Sequence, residues 1–392
     1  MKDLNVGLVG GAGFMGKAHS IAWATVPMYC WPAPVMPRRY AVAEMTEELA
    51  KEASVRYGFE RSYVGYEKLL ADPKVDVVDI CLPNYLHKEA VLAAINAGKH
   101  VICEKPLAND AADCKELLEA AEKAGILHQV GFNWRLPPAV QLAKKLIEEG
   151  EVGQILDFRG FWLSEWGIDP DVPVSWRFDK SKCGSGSLGD IGGHIIDYAR
   201  YLVGEFREVS AVAETYIKER PLPGGGGAYG SKGHEERAMG KVDVDDNVAF
   251  MARFDNGGYG YLEATRFSPG RYNFAGFEIH GMKGSLFFNW ERMDEIQFCS
   301  MADPAGQHGF RTIYPGPQQP GGELFWPIPG YQISYADTKM LQMLDFCRAF
   351  ADGKKVQTTF FDGWKNAEVI DAVLKSVEKH AWVQVGSPSS KS

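Results

Sequence analysis

The sequence has no apolar run approaching the roughly 20 residues that a membrane-spanning helix needs. Its first residues, MKDLNVGLVGG, lack the basic and long apolar segments of a secretory signal. It also lacks an excess of basic residues: 42 Lys and Arg against 51 Asp and Glu give a net charge of −9. This balance argues against a general binder of nucleic acid or anionic membranes. We therefore expect a cytoplasmic protein with neither a membrane nor a nucleic-acid partner.

The seven cysteines are scattered along the chain and include no CxxC pair. An odd number without metal-site spacing predicts neither a disulfide framework nor a structural zinc site, and it fits a reducing compartment. The sequence also has no HExxH motif. We expect no bound metal. The 392 residues exceed what one simple core accommodates, which predicts two domains.

Residues 1–132 alternate short apolar runs with helical patterns. A strand is predicted at Leu4–Val9, and the helix that follows at Phe14–Val26 is expected to end at Pro27. The segment VDVVDICL (75–82) has the continuous apolar character of a buried parallel strand. Repeating βα units of this kind predict a doubly wound parallel sheet, the Rossmann arrangement, in an N-terminal domain.

The pattern changes in residues 133–392, which we predict to form a second, α+β domain with a large, mainly antiparallel open sheet and two C-terminal helices. Its strands are joined by Gly-rich turns such as FDNGGYG (254–260), a hairpin signal. The Gly-rich segment Pro223–Gly233 is expected to be a mobile loop, and the final residues, GSPSSKS, a frayed tail.

A glycine motif follows the first predicted strand. Gly11, Gly13 and Gly16 satisfy G-x-G-x-x-G, enclose Phe14 and Met15, and open a helix. This is the context of a dinucleotide fingerprint, in which the first glycine permits a tight turn and the helix N-terminus faces the pyrophosphate. The preceding Gly10 lengthens the loop by one residue. The motif predicts a nicotinamide dinucleotide cofactor.

The second predicted strand ends at Glu44, the candidate ligand of the adenosine ribose. A carboxylate there binds the 2′-hydroxyl and repels a 2′-phosphate, which favours NAD over NADP. Arg38 and Arg39 precede this strand and are poorly placed to receive a 2′-phosphate. The alternative is that Glu44 only begins the surface of the next helix.

The segment GSGSLGDIGGHIIDYARY (184–201) places Asp190 four residues before His194, one helical turn apart. Three interpretations are open from spacing alone: a metal site, a proton relay, or an ordinary helix in which Asp190 is the N-cap. The adjacent Gly192 and Gly193 weaken a helix and indicate close approach of backbone or ligand.

The fingerprint, CLPNYLH (81–87), CEKPL (103–107) and GDIGGHIID (189–197) together resemble the Gfo/Idh/MocA oxidoreductase family, in the right order and over nearly the whole chain. The resemblance implies a Rossmann domain followed by an α/β domain whose open sheet forms oligomer contacts, giving a homodimer or homotetramer. Further segments resemble the members that oxidise pyranosides at C3. The implied activity is NAD-dependent oxidation of a ring hydroxyl of a pyranose, an anhydrosugar such as levoglucosan, or a glycoside.

The resemblance assigns catalytic roles to Lys105, Asp190 and His194. Oxidation of a secondary alcohol needs a base for the hydroxyl proton while hydride leaves for the nicotinamide. His194 is the natural base near neutral pH, Asp190 holds the proton or a neighbouring hydroxyl, and Lys105 polarises the reacting oxygen. Whether His194 or Lys105 takes the proton first is open.

Softer assignments follow from strand ends and from the resemblance. The expected cofactor contacts beyond the fingerprint are Leu82, Pro83, Asn84, His87, Glu104, Lys105, Asn133, Trp176 and Arg177. The expected substrate contacts beyond the catalytic residues are Trp134, Arg135, Trp166 and Tyr335. Aromatic faces suit sugar C–H groups, with core packing as the alternative.

Three competing functions are kept open. An inositol dehydrogenase is the nearest alternative among oxidoreductases. A glycosidase that uses NAD for transient oxidation and elimination would produce no net NADH. A non-catalytic NAD sensor would need the glycine loop but no proton relay, which Lys105, Asp190 and His194 argue against.

Overall fold

The computed structural model describes residues 2–223 and 238–386. They form two compact units, one made of residues 1–138 and 316–364, the other of residues 139–315 and 365–392. The segment 316–364, which we predicted to lie in the second domain, therefore groups with the first. Nearly all of the predicted loop at 223–233, and the tail beyond Gly386, lie outside the described residues.

The first unit contains the predicted parallel sheet. Its six strands are ordered β3-β2-β1-β4-β5-β6, and every pair is parallel. The strands are β1 (Asp3–Val9), β2 (Met36–Glu44), β3 (Arg61–Val64), β4 (Val77–Ile80), β5 (His100–Cys103) and β6 (His128–Val130). Residues of β4 are buried throughout, as expected for a strand covered on both faces. The carboxyl ends of these strands share one edge, so the segments after them meet there.

The helices surround this sheet or belong to the second unit. In chain order they are α1 (Phe14–Tyr29), α2 (Glu47–Tyr57), α3 (Tyr66–Leu70), α4 (His87–Asn96), α5 (Ala111–Ala124), α6 (Pro138–Glu148), α7 (Lys180–Cys183), α8 (Gly193–Leu202), α9 (Tyr335–Asp352) and α10 (Phe360–Lys379). The core of the first unit joins β1, α1 and α9 through residues such as Leu4, Trp23 and Phe346. None of these described helices is long and apolar enough to cross a bilayer.

The predicted helix end at Pro27 is wrong. Helix α1 runs on to Tyr29 with Pro27 inside it, because a proline in the last turn removes only one backbone hydrogen bond. The amide of Cys30 then donates to the carbonyl of Val26 and closes the helix. Strand β2 begins at Met36 and therefore contains Arg38 and Arg39, which we expected to precede it.

The second unit contains the large, mainly antiparallel sheet that the sequence predicts. Its order is β16-β15-β14-β13-β7-β12-β11-β8-β17, and only β7 and β12 pair in parallel. The strands of the second unit are β7 (Ile155–Leu163), β8 (Phe206–Glu214), β9 (Glu219–Pro221), β10 (Met239–Lys241), β11 (Asn247–Phe254), β12 (Tyr259–Thr265), β13 (Phe274–Gly281), β14 (Gly284–Asn289), β15 (Ile296–Ser300), β16 (Arg311–Ile313) and β17 (Val383–Gln384). The β11–β12 pair confirms the predicted hairpin.

Helix α8 lies close to this sheet. Gly160 of β7 has no room for a side chain, since a Cβ there would collide with Ile195 of the helix. A glycine at this position of the strand therefore lets α8 approach the sheet backbone, and α8 begins one residue before His194.

Candidate active site

The glycine-rich loop joins β1 to α1. Gly10 has the left-handed conformation, φ +86°, and a Cβ on it would lie 2.8 Å from the carbonyl oxygen of Cys81. The tight turn that we assigned to Gly11 therefore falls on Gly10. Gly11 instead packs against Val42, and a side chain on Gly16 would collide with the backbone of Gly10 and Gly11. The shape of the loop consequently requires glycine at positions 10, 11 and 16.

The N-terminus of α1 is open. Its N-cap residue, Gly13, makes no side-chain capping bond, and the first turn contains no acidic residue. A Cβ on Gly13 would meet only the carbonyl oxygen of Gly10, at 3.8 Å, and Phe14 is 72% exposed. The first amides of the helix thus face accessible space, the arrangement that binds phosphate groups.

Glu44 lies at the end of β2, beside this loop. Its Oε1 accepts a hydrogen bond of 2.5 Å from the amide of Ala12, so the carboxylate also holds the loop. The two nearby arginines are engaged elsewhere: Arg38 pairs with Asp3 and Glu60, and Arg39 donates to a backbone carbonyl. Both arginines therefore have partners within the first unit.

Tyr335 lies in the first unit, at the start of α9. Its ring stacks on Phe14, with centroids 5.9 Å apart, and its hydroxyl donates to the sulfur of Met15 at 3.5 Å. We predicted Tyr335 as a substrate contact. The structure places it against Phe14 and Met15, the two side chains of the glycine motif, and the substrate contact stays a prediction.

The loop after β4 and the turn after β5 are joined by His87. This side chain is fully buried, and its ring nitrogens lie 2.8 Å from the carbonyl oxygens of Leu82 and Pro106. Burial lowers the pKa of His87, although both carbonyls favour the protonated ring. His87 has no exposed surface, whereas we predicted that it contacts the cofactor. Leu82 and Pro83 remain partly exposed, and Asn84 is buried.

The turn after β5 carries Lys105, which is partly exposed and precedes a cis proline. Its amide lies 3.3 Å from Oε2 of Glu104. The Glu104 side chain is only 4% exposed and points to His19 and Lys339. Glu104 therefore has an internal role, and its predicted contact with the nicotinamide ribose stays a prediction.

Asn133, Trp134 and Arg135 form a 3-10 turn after β6 and are 1%, 3% and 5% exposed. Asn133 donates to the hydroxyl of Thr338 at 2.6 Å, and Arg135 pairs with Asp362 at 2.9 Å. Asn133 and Arg135 therefore have internal partners, and the ligand contacts that we predicted for Asn133, Trp134 and Arg135 stay predictions. Sequence alone did not separate the two possibilities, because Thr338 and Asp362 lie more than 200 residues away along the chain.

In the second unit, Asp190 lies within a single π-helical turn, Leu188–Gly192, that leads directly into α8. It is not the N-cap that we considered. Its Oδ2 pairs instead with Arg266 at 3.0 Å, and the arginine side chain is only 1% exposed. Such π turns are frequent at functional sites.

The capping role belongs to Asp245. Its carboxylate accepts hydrogen bonds of 2.7–2.8 Å from the amides of Gly186 and Leu188 and from the hydroxyl of Ser187. Asp245 belongs to the segment VDVDD (242–246), which directly precedes strand β11. Asp245 therefore anchors the turn that carries Asp190.

His194 lies in the first turn of α8 and is 5% exposed. Its ring centroid is 5.6 Å from that of Trp162. The close approach predicted at the glycine pair is made by protein, since the carbonyl of Gly193 accepts a 2.8 Å hydrogen bond from Asn366.

In the second unit, Trp166 and Trp176, which we predicted to contact ligands, each pack against an arginine. The Arg266 guanidinium stacks on Trp166, 4.8 Å from the ring centroid, and Arg177 stacks on Trp176 at 4.3 Å. Both tryptophans are partly buried. Arg266 therefore joins a predicted catalytic acid to a predicted sugar-binding ring, and sequence reasoning missed it because nothing local marks it.

An open, glycine-lined helix N-terminus at the carboxyl edge of a doubly wound sheet, with an acid at the end of the second strand, defines a dinucleotide-binding protein of the Rossmann class. Comparison with family models refines this class. Residues 4–132 match the model for the oxidoreductase family with an NAD-binding Rossmann fold, and residues 140–287 match the GFO/IDH/MocA C-terminal domain. The chain belongs to the GFO/IDH/MocA oxidoreductase family and is an NAD-dependent enzyme.

Individual relatives agree. The levoglucosan dehydrogenase of Pseudarthrobacter phenanthrenivorans is 52% identical over 98% of this chain and 99% of its own. A solved levoglucosan dehydrogenase in complex with NADH and levoglucosan has 50% identity and a TM-score of 0.93, covering 98% of this chain and all of that one. The myo-inositol 2-dehydrogenase of Thermotoga maritima is 28% identical over 70% of this chain and 74% of its own.

The residues present fit NAD. The open first turn of α1 suits the pyrophosphate, and the carboxylate of Glu44 beside Ala12 is positioned to receive ribose hydroxyls. These two features lie at the ends of adjacent strands, as this cofactor requires.

Proposed function

We propose that the enzyme oxidises a ring hydroxyl, at C3, of a pyranose, an anhydrosugar such as levoglucosan, or a glycoside. The observation that carries the proposal is the full-length similarity to levoglucosan dehydrogenase, at 52% identity. The inositol dehydrogenase relative is less similar and matches a smaller share of the chain.

In this proposal NAD accepts the hydride, and three side chains handle the oxygen and its proton. His194 takes the hydroxyl proton, because its reference pKa of about 6.5 suits a base near neutral pH. Lys105 donates a hydrogen bond to the oxygen as it becomes a carbonyl. Asp190, oriented by Arg266, accepts a hydrogen bond from a substrate hydroxyl.

The test is NADH formation, followed at its absorbance, across levoglucosan, glucose, glucosides and inositols. We expect the highest kcat/KM with an anhydrosugar or glycoside. His194→Ala should lower kcat by about 10²–10⁴-fold, the usual contribution of a general base, while NADH binding stays nearly unchanged. His308→Ala is the control, since this exposed histidine of the same unit donates only to a loop carbonyl.

Each alternative has its own signature in this assay. Preference for an inositol would replace the proposed substrate. Release of an aglycone without accumulation of NADH would identify the glycosidase. Tight NADH binding with no turnover of any polyol would favour a sensor.

We also propose that the chain forms a homodimer or homotetramer through the open face of its large sheet, in the cytoplasm. Three apolar side chains that line one shallow cavity on this face are strongly exposed: Val212, Met251 and Tyr261, at 69%, 43% and 48%. Apolar patches of this kind mark association surfaces. Val212→Glu should lower the mass measured by light scattering.

The seven free cysteines support a reducing compartment, which is the basis for the cytoplasmic location that we propose.

A further inference from the structure

A cluster of four ionisable side chains is buried in the first unit, below the turn that carries Lys105. His19, Asp79, Glu104 and Lys339 are each at most 4% exposed. They come from α1, β4, the end of β5 and α9 respectively. Four elements far apart in the chain thus converge on one point, although none of these residues except Glu104 was marked by the sequence.

The hydrogen bonds of the cluster form one chain. His19 Nδ1 lies 2.9 Å from both carboxylate oxygens of Asp79, and Nε2 lies 2.9 Å from Oε1 of Glu104. The ammonium of Lys339 pairs with the same Oε1 and donates to Gln342 at 3.2 Å. Both ring nitrogens of His19 therefore face acceptors.

The charges of the cluster balance. Burial alone would lower the pKa of His19, but Asp79 outweighs it and the pKa lies well above its usual value. Burial likewise opposes ionisation of Glu104, yet Lys339 and His19 hold its pKa well below the usual value. The cluster contains two cations and two anions, which is the condition for burying them together.

A metal centre is the first alternative. His19, Asp79 and Cys81 have ligand atoms within 4.8 Å of one another, the only such group among the described residues. However, both nitrogens of His19 already contact carboxylates, and burial raises the pKa of the Cys81 thiol to about 11. To bind there, a cation would have to displace the protons of the His19 ring and of the Cys81 thiol. We therefore propose no metal site in the cluster.

A purely structural ion cluster is the second alternative. Against it stands the second oxygen of Glu104, which lies 3.3 Å from the amide of Lys105. Gly131 permits this placement, because a Cβ there would lie 2.6 Å from Oε1 of Glu104. His87 holds the other side of the turn through the carbonyl of Pro106. The turn formed by Lys105 and Pro106 is thus held between two buried side chains.

We propose that Lys339 and His19 are positioning residues for Lys105. They fix the carboxylate of Glu104, and through it the backbone from which the Lys105 side chain extends. The proposal rests on the proposed function, in which Lys105 contacts the reacting oxygen. Displacing such a group by about 1 Å lowers a rate by about 10²-fold. The positioning acts through Glu104 without contact between Lys339 and any ligand.

The test compares Lys339→Met with Lys99→Met. Lys99 is also buried in the first unit, at 8% exposure, and its ammonium donates to the carbonyls of Asp72 and Val75 at 2.9 Å. Lys99 precedes strand β5, and Glu104, the partner of Lys339, follows the same strand. Each variant therefore removes one buried ammonium group, and the two groups lie at opposite ends of β5. Both should lower stability, but only Lys339→Met should impair Lys105.

Three measurements are made on each variant. For Lys339→Met we expect kcat to fall by about 10²-fold, the NADH dissociation constant to change less than about threefold, and the Lys105 amide to exchange hydrogen faster. For Lys99→Met we expect all three near wild type. Equal kcat and equal exchange in the two variants would overturn the positioning role. Failure of the wild type to oxidise any sugar would instead overturn the proposed function.

Lys339→Gln is the second variant, because the amide retains a donor for Glu104 at lower cost to folding. Because this amide is uncharged it holds Glu104 less firmly, so a fall in kcat smaller than in Lys339→Met, with faster Lys105 exchange, supports the proposal. If neither variant at position 339 folds while Lys99→Met does, the cluster holds the fold rather than the turn, and the positioning role is refuted.

Discussion

Arg266 is the residue whose removal most directly tests the surroundings of Asp190 in the second unit. Its side chain is 1% exposed, while its partner Asp190 is 24% exposed and lies 3.0 Å away. Arg266→Met keeps the length of the side chain but removes the charge. The Asp190 carboxylate then loses its buried cation, and the ring of Trp166 loses the guanidinium stacked on it.

The magnitude follows from these exposures. Removing one partner of a buried ion pair costs about 3–5 kcal/mol, and water reaches Asp190 well enough to recover part of it. Lost stacking on a tryptophan adds roughly 1 kcal/mol. We therefore expect the free energy of unfolding to fall by about 2–4 kcal/mol. We also expect kcat to fall at least tenfold, because Asp190 loses its orientation.

The assay is urea denaturation at pH 7.5 together with kcat for the preferred sugar. Arg271→Met is the control: this exposed arginine stacks on Phe274 at 3.9 Å, and it forms no ion pair with an acid among the described residues. A double variant with Asp190→Asn should be more stable than the sum of the single losses predicts, since the pair is already broken. Additive losses within about 0.5 kcal/mol would show that the pair is not energetically coupled and would refute the reasoning.

Further predictions concern the first unit. Burial raises the pKa of Asp345 from 3.8 to about 6, so its favourable, protonated form is lost as pH rises through this range. Asp345→Asn should be more stable than wild type above pH 6, by up to about 3 kcal/mol, and equal to it below pH 4 in urea titrations. Glu44→Ala should narrow the ratio of NADPH to NADH dissociation constants, and an unchanged ratio would place the ribose ligand elsewhere. Gly16→Ala should abolish NADH binding measured by fluorescence, because its Cβ collides with the loop backbone; normal affinity would contradict the tight packing.

Local signals in the sequence were sufficient for the fold class and the dinucleotide loop. A strand, three glycines and the start of a helix lie within the first 16 residues, and each requirement is met by neighbours in the chain. The hairpin at 254–260 is local in the same sense. The shift of the tight turn from Gly11 to Gly10 shows the limit of the motif, because the turn is decided by contact with Cys81, 71 residues away.

Whether a polar side chain is buried or exposed depends on tertiary contacts, and no local sequence pattern encodes this. His87, Asn133 and Arg135 follow strands at the edge where ligands bind, yet all three are buried against distant partners. A polar residue after a strand reads the same in both situations. The sequence therefore indicates the segments, whereas the tertiary structure decides which side chains in them are buried.

The amino-acid sequence alone was enough to predict a Rossmann domain, an NAD cofactor and three candidate catalytic side chains, because these predictions depend on short spacings and residue types. The surroundings of those side chains depended on folding. Arg266 reaches Asp190 across 76 residues, and Lys339 reaches Glu104 across 235. Buried charges need partners at hydrogen-bond distance, and those partners come from whichever elements the packed sheets bring together.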